Sequence, residues 1–127
     1  LPPNLSAVEY LLSIDPTIEE KTARHYLGSI GLEGNLHNSL VSTLSGGQKA
    51  RVVFASLFVQ KPHIIFLDEP TNHLDIDSKE VLEDSLINYE GTILVVSHDR
   101  YFLNKVVSLL LGAPMLKIFV RKKCLQM

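Results

Sequence analysis

The sequence predicts an α/β chain, with a helical N-terminal part followed by a core on parallel strands, and three observations predict it. Two runs, residues 63–67 and 92–96, are continuously apolar and rich in β-branched residues, the pattern of buried parallel strands covered on both faces. Residues 77–88 between them carry Val81, Leu82 and Leu86 at helical spacing, so strand, helix and strand make one right-handed parallel β-α-β unit. The residues before 61 show helix starts and stops and no alternating strand pattern.

Ser6 with Glu9, and Thr17 with Glu20, each fit a capping box, in which a hydroxyl and a carboxylate reciprocally satisfy backbone donors at a helix start. Two helices are therefore expected. The second should bury Tyr26, Leu27 and Ile30 and stop at Gly31, which tolerates the left-handed conformation common just past a helix end. Residues 31–43 read as a loop or short turn broken by Gly31, Gly34, Asn35 and Asn38. A third helix should run over residues 46–60, with Ser45 as N-cap, Gln48 as capping-box partner and Lys61-Pro62 as the stop, carrying Val52, Val53, Ala55, Leu57 and Phe58. After the first strand and the second helix-bearing segment, Glu90-Gly91 turns the chain into the second strand. Residues 108–127, with Leu109-Leu110-Leu111-Gly112-Ala113-Pro114 and a basic finish, suit either one more strand or an exposed apolar surface. The expected organisation is a helical part over 1–61, an α/β core over 62–111 and an unassigned basic tail over 112–127.

With 127 residues the chain has room for one modest core and not for a second complete domain. Its hydrophobic fraction of 46% and charged fraction of 20% exclude a disordered or fibrous chain. Cys124 is the single cysteine, so no disulfide can form within the chain, which fits a reducing compartment. No apolar run approaches the roughly 20 residues needed to cross a bilayer, and no signal-peptide pattern opens the chain. A soluble, cytoplasmic protein without a membrane span is expected. The net charge of −2 conceals an asymmetry: all 14 acidic residues precede residue 100, whereas Arg100, Lys105, Lys117, Arg121, Lys122 and Lys123 follow with no acid among them. Such a tail could touch RNA phosphate, but a solvated terminus is the simpler reading.

The chemistry gathers at three places. Ser45-Gly46-Gly47 opens a helix, where free backbone N–H groups and the helix dipole converge and glycine lets a phosphate come close; a plain N-cap would explain Ser45 equally well. Asp68-Glu69 ends an apolar strand, where a buried unpaired charge is expensive unless a cation or hydrogen bonds compensate it. Mg²⁺ suits such a place, with one carboxylate holding the metal and the next orienting water; the plainer alternative is an exposed acidic turn before Pro70. His98 follows the second strand, where its imidazole could reach a phosphate oxygen. Ligands gather at the carboxyl ends of parallel strands, so Asp68-Glu69 and Ser97-His98 should be neighbours. Asp75 could simply start the next helix, although its place near the acidic pair keeps a functional role open. His25, His37, His63 and His73 read as structural, and the histidine spacing does not suggest zinc.

These residues resemble the ATP-binding cassette family. Leu44-Ser45-Gly46-Gly47-Gln48 matches its signature sequence, the run from Ile64 into Asp68 and Glu69 its Walker B strand, Leu74-Asp75 its D-loop and His98 its switch histidine. The wording Glu69-Pro70-Thr71-Asn72-His73-Leu74-Asp75 and Ser97-His98-Asp99-Arg100-Tyr101-Phe102-Leu103 resembles the ABC-F class, soluble twin-cassette ATPases associated with ribosomes and translation. The resemblance spans about residues 5–107 and implies a partial P-loop NTPase domain, with the helical subdomain first. It implies ATP and Mg²⁺ as cofactors, Asp68 as metal partner, Glu69 and His98 as catalytic residues, and Ser45, Gly46, Gly47, Gln48 and Asp75 as nucleotide contacts. A second cassette would be the partner, so that the signature serves a nucleotide held mainly by that cassette; the ribosome would be a further partner. A Walker A loop should lie on the same polypeptide, yet none of the seven glycines is followed by lysine. The intact parent would be an ATPase, and this chain alone inactive. Two alternatives are the nucleotide-binding subunit of a membrane transporter and a non-catalytic half-cassette.

Overall fold

The protein is described by a computed structural model covering residues 1–72, 74–89, 92–110 and 118–120. His73, the turn at Glu90-Gly91, Cys124 and the tail residues Lys117, Arg121, Lys122 and Lys123 lie outside the described residues. The chain divides into two units, Leu1–Lys61 and Pro62–Met127.

The first unit holds α1 (Ala7–Ile14), α2 (Glu20–Ser29) and α3 (Gly46–Val59), with 3₁₀ turns at Gly34–Leu36 and Val41–Thr43. Ser6 caps α1 through a complete capping box: its hydroxyl accepts the Glu9 amide at 3.2 Å, and the Glu9 carboxylate accepts the Ser6 amide at 2.8 Å. The expected box at Thr17 and Glu20 does not form. The helix starts later, at Glu20, and the amide and hydroxyl of Thr17 both donate to Asp15 Oδ1, at 3.0 and 2.5 Å. An aspartate two residues upstream competes for the threonine by making a local turn. Leu27 and Ile30 are buried as expected, but Tyr26 is only half-buried, and Ala23 takes the inner position instead.

α2 ends at Gly31, whose φ of 83° is left-handed. The Leu32 amide donates to Leu27 O at 2.9 Å and the Gly31 amide to Gly28 O at 3.0 Å, the paired bonds of a Schellman stop. From α3, Arg51 Nη1 donates to Gly31 O at 2.7 Å. His37 is buried and structural, with Nε2 2.8 Å from Leu32 O and its carbonyl accepting the Val8 amide at 3.1 Å. Ala7, Leu11, Leu27, Val41, Val52 and Ala55 are among the side chains buried where the three helices pack.

The second unit holds β1 (Ile64–Asp68), α4 (Ile76–Ile87), β2 (Thr92–Val96), α5 (Arg100–Leu110) and β3 (Ile118–Val120). The sheet runs β1-β2-β3, all parallel, with Ile64 opposite Thr92, Asp68 opposite Val96, and Ile93 opposite Ile118. The short β3 lies in the segment for which a further strand was one of two expectations. Burial alternates along β1: Ile65 and Leu67 are inside, while Ile64 and Phe66 are 65% and 58% exposed. The expectation of a strand covered on both faces is corrected here, because a run apolar in every position shows nothing about which of its two faces meets another layer. Ile93, Val95, Leu82, Leu86, Phe102 and Val106 complete the buried set, with Val81 half-buried. The Tyr89 hydroxyl donates to Pro62 O, joining the end of α4 to the approach to β1.

Candidate functional site

Each unit carries one group of the predicted residues. In the first, Ser45 caps α3: its hydroxyl accepts the Gln48 amide at 3.2 Å, while Gln48 Oε1 accepts the Ser45 amide at 2.9 Å. This box uses the acceptor oxygens of both side chains and leaves the Ser45 hydroxyl hydrogen and the Gln48 side-chain NH2 as donors. Beside them, the amides of the first helical turn, at Gly46 and Gly47, have no carbonyl one turn back to bond and can also receive an anion. Ser45 and Gly46 are exposed, and a methyl group built on Gly46 would meet nothing within 4 Å. The fold of this chain therefore does not need glycine at Gly46.

In the second unit, parallel pairing brings the ends of β1 and β2 to one edge. Asp68 is the last residue of β1 and its side chain is exposed, so the anticipated burial of its charge is corrected: water already solvates it. Glu69 differs. Its φ of 47° is left-handed, which costs a residue with a Cβ about 1–3 kcal/mol. Two backbone bonds hold it there, the Glu69 amide donating to Val96 O at 2.7 Å and its carbonyl accepting the Asn72 amide at 3.1 Å, and the His98 amide donates to Glu69 Oε2 at 3.3 Å. The last is a contact of backbone with side chain, and it places the carboxylate over the end of β2. Glu69 Oε1 is shielded from solvent and accepts no hydrogen bond among the described residues, with His98 Nε2 3.4 Å away. A shielded acceptor oxygen beside an imidazole can take a hydrogen bond from that ring, which leaves the more accessible part of the carboxylate to face water.

Around this pair, Asp75 caps α4, its Oδ1 accepting the Ser78 amide at 2.8 Å. The helix-start alternative for Asp75 thus accounts for one of its oxygens. Asp99, not singled out from sequence, ties the region together. Its Oδ1 accepts the Phe102 amide at 3.0 Å at the start of α5, its Oδ2 accepts Lys79 Nζ from α4 at 3.3 Å, and its own amide donates to Ser97 Oγ at 3.0 Å. Thr71, buried in the loop after Glu69, lies close enough to Asp99 to favour its charged form. The Phe102 amide first, then Lys79 and Thr71, hold the Asp99 carboxyl below the ordinary carboxylate range despite its partial burial. The start of α5 could have marked Asp99 as an N-cap in the sequence; its link to Lys79, 20 residues away, had no local signal. Farther along, the Glu83 carboxylate pairs with Lys105 Nζ at 2.6 Å between α4 and α5 and raises the Lys105 value.

Among the described residues no three His, Cys, Asp or Glu side chains gather as metal ligands. Mg²⁺ fits the donors present. It takes oxygen ligands, commonly one or two carboxylates with the rest from phosphate and water, and the exposed Asp68 carboxylate offers that. No helix of the described residues is long and apolar enough to cross a membrane.

The sequence profile of the ABC transporter family matches residues 1–72. ATP-binding cassette sub-family F member 3 of Mus musculus is 46% identical over 103 residues, which is 81% of this chain and 14% of the mouse protein. ABC transporter F family member 3 of Arabidopsis thaliana is 45% identical over 95 residues, 75% of this chain and 13% of that protein. The chain thus spans about a seventh of the length of these relatives. Among solved structures, a dimeric ATP-binding cassette in a post-hydrolysis state, bound to ADP and Pi, superposes with a TM-score of 0.71 at 30% identity, over 83% of this chain and 51% of that one. An archaeal ribosome recycling factor, in complex with the archaeal ribosomal stalk protein, gives a TM-score of 0.65 at 28% identity over 81% of this chain and 21% of that one.

Proposed function

The chain belongs to the ATP-binding cassette family, in its F subfamily, and on that premise we propose that it is the later part of one cassette of an ATPase that closes and opens a two-cassette clamp. The carrying observation is the pairing of Glu69 with His98 at the ends of β1 and β2. In this reading the Glu69 carboxylate orients the attacking water and takes its proton; its left-handed backbone and the His98 amide hold it in place. His98 donates a hydrogen bond to the γ-phosphate oxygen on which charge develops. Asp68 would hold Mg²⁺, which when bound neutralises phosphate charge. These residues serve the nucleotide of their own cassette.

Ser45, Gly46, Gly47 and Gln48 serve the other nucleotide, held mainly by a second cassette. The open Gly46 backbone supports this, because its missing side chain leaves room that nothing in this chain fills. Asp75 keeps its cap while its loop contributes to the nucleotide surroundings. The reading extends over both units, with 1–61 as the helical subdomain and 62–111 as the later ATPase core. The ABC-F resemblance and the likeness to a ribosome recycling factor support a cytoplasmic, ribosome-associated role in translation over membrane export.

Glu69→Gln in the intact parent protein tests the assignment. ATP binding should persist while turnover falls by two orders of magnitude or so, on the order of what general-base catalysis contributes. Steady-state phosphate release at the wild-type rate would remove Glu69 from this role.

A further inference from the structure

Glu69 follows β1 and His98 follows β2. Strand pairing and the Glu69 amide bond to Val96 O align the ends of those strands, and the His98 amide meets the Glu69 carboxylate. Asp99 adds the ties that fasten the turn after β2 to the helices beyond. It receives Lys79 from the first turn of α4 and the Phe102 amide from the first turn of α5, through its own amide it is joined to Ser97 on the near side of His98, and Thr71 of the loop that leaves Glu69 lies beside it. The half-buried Lys79–Asp99 pair, 3.3 Å apart, therefore bridges the two segments that carry the proposed chemistry. Ser97 and Thr71, both buried, leave the turn little room to shift.

We infer that Asp99, tied to Lys79 and flanked by Thr71, is a positioning residue that sets the backbone of His98 against the Glu69 carboxylate. This rests on the roles proposed above for Glu69 and His98. Neither Lys79 nor Thr71 needs to touch nucleotide; they act by fixing where His98 presents its amide and ring. A carboxylate shared between donors on two helices, with a threonine of the third segment beside it, suits that task, since losing one contact lets one segment move while the others stay.

The test uses Lys79→Met, Lys79→Arg, Thr71→Val and Glu69→Gln in the intact parent protein, beside amide NMR of the 127-residue chain. Lys79→Met and Thr71→Val should lower kcat on the order of tenfold, because sub-ångström misplacement of reacting groups is costly. KM for ATP should stay within about twofold, since no nucleotide contact is lost. Lys79→Arg, which can still reach Asp99 Oδ2, should restore kcat. In the chain itself the His98 amide resonance should move in Lys79→Met and return in Lys79→Arg. Wild-type kcat in Lys79→Met and Thr71→Val while Glu69→Gln stalls would overturn the inference, as would a kcat loss fully matched by loss of folded protein in a thermal melt. If Glu69→Gln itself turns over normally, the assigned roles of the site fail. The His98 amide then decides the positioning link alone, and an unmoved resonance in Lys79→Met overturns it.

Discussion

Asp99 shows what a single carboxylate contributes when several donors converge on it. The Phe102 amide, Lys79 and Thr71 favour its charged form, so its folded value lies below its unfolded value of 3.8. Such a group contributes stability that is present above pH 3.8 and is lost as pH falls through the folded value. Urea unfolding followed from about pH 5 down to about pH 2 should therefore show a shallower acid loss in Asp99→Asn than in the wild-type chain. Equal slopes would mean that the bonds to Asp99 persist when it is protonated. Glu69 is the opposite case among the carboxylates here. Its backbone sits in an unfavourable left-handed conformation, and one of its oxygens is shielded without a donor among the described residues, so the fold holds it at a cost rather than profiting from it.

At the scale of elements, two glycines of the first unit separate what the fold needs from what a ligand would need. Gly31 ends α2 with a φ of 83°, so Gly31→Ala places a Cβ in the left-handed region and should destabilise the chain by about 1–2 kcal/mol. An unchanged denaturation midpoint in urea would show that the Schellman stop is dispensable. Gly46 lies in the first turn of α3 with open space around it, so Gly46→Ala should be neutral or stabilise the chain by up to about 1 kcal/mol, through a less flexible unfolded state. In the parent protein the same methyl group should obstruct the approach of phosphate and lower ATPase activity. Full activity in a Gly46→Ala parent would argue that no phosphate comes to this helix start. The two failed details of α2 and β1 belong here too. Thr17 had a nearer partner in Asp15, and Phe66 faces outward although its run is apolar throughout.

For the molecule as a whole, the consequence of the proposed division between two nucleotides is that this chain alone should not turn over ATP. Its residues would contribute to the surroundings of both, and none of its seven glycines opens a phosphate loop ending in lysine. Phosphate release by the purified 127-residue chain with Mg²⁺ and ATP should match the buffer blank; metal-dependent turnover would require a phosphate-binding loop of another kind. Motif order and hydrophobic pattern alone determined the α/β class, the helix starts at Ser6 and Ser45, the stop at Gly31 and the family, because caps, breakers and short motifs act over three to five residues and so are written locally. Only the tertiary structure decided which face of β1 is covered, that Glu69 takes a left-handed backbone with its carboxylate on the His98 amide, and that Asp99 joins Lys79 and Phe102. Those outcomes depend on strands and helices far apart in the chain meeting in space, and strand register and helix packing select partners that no local pattern names.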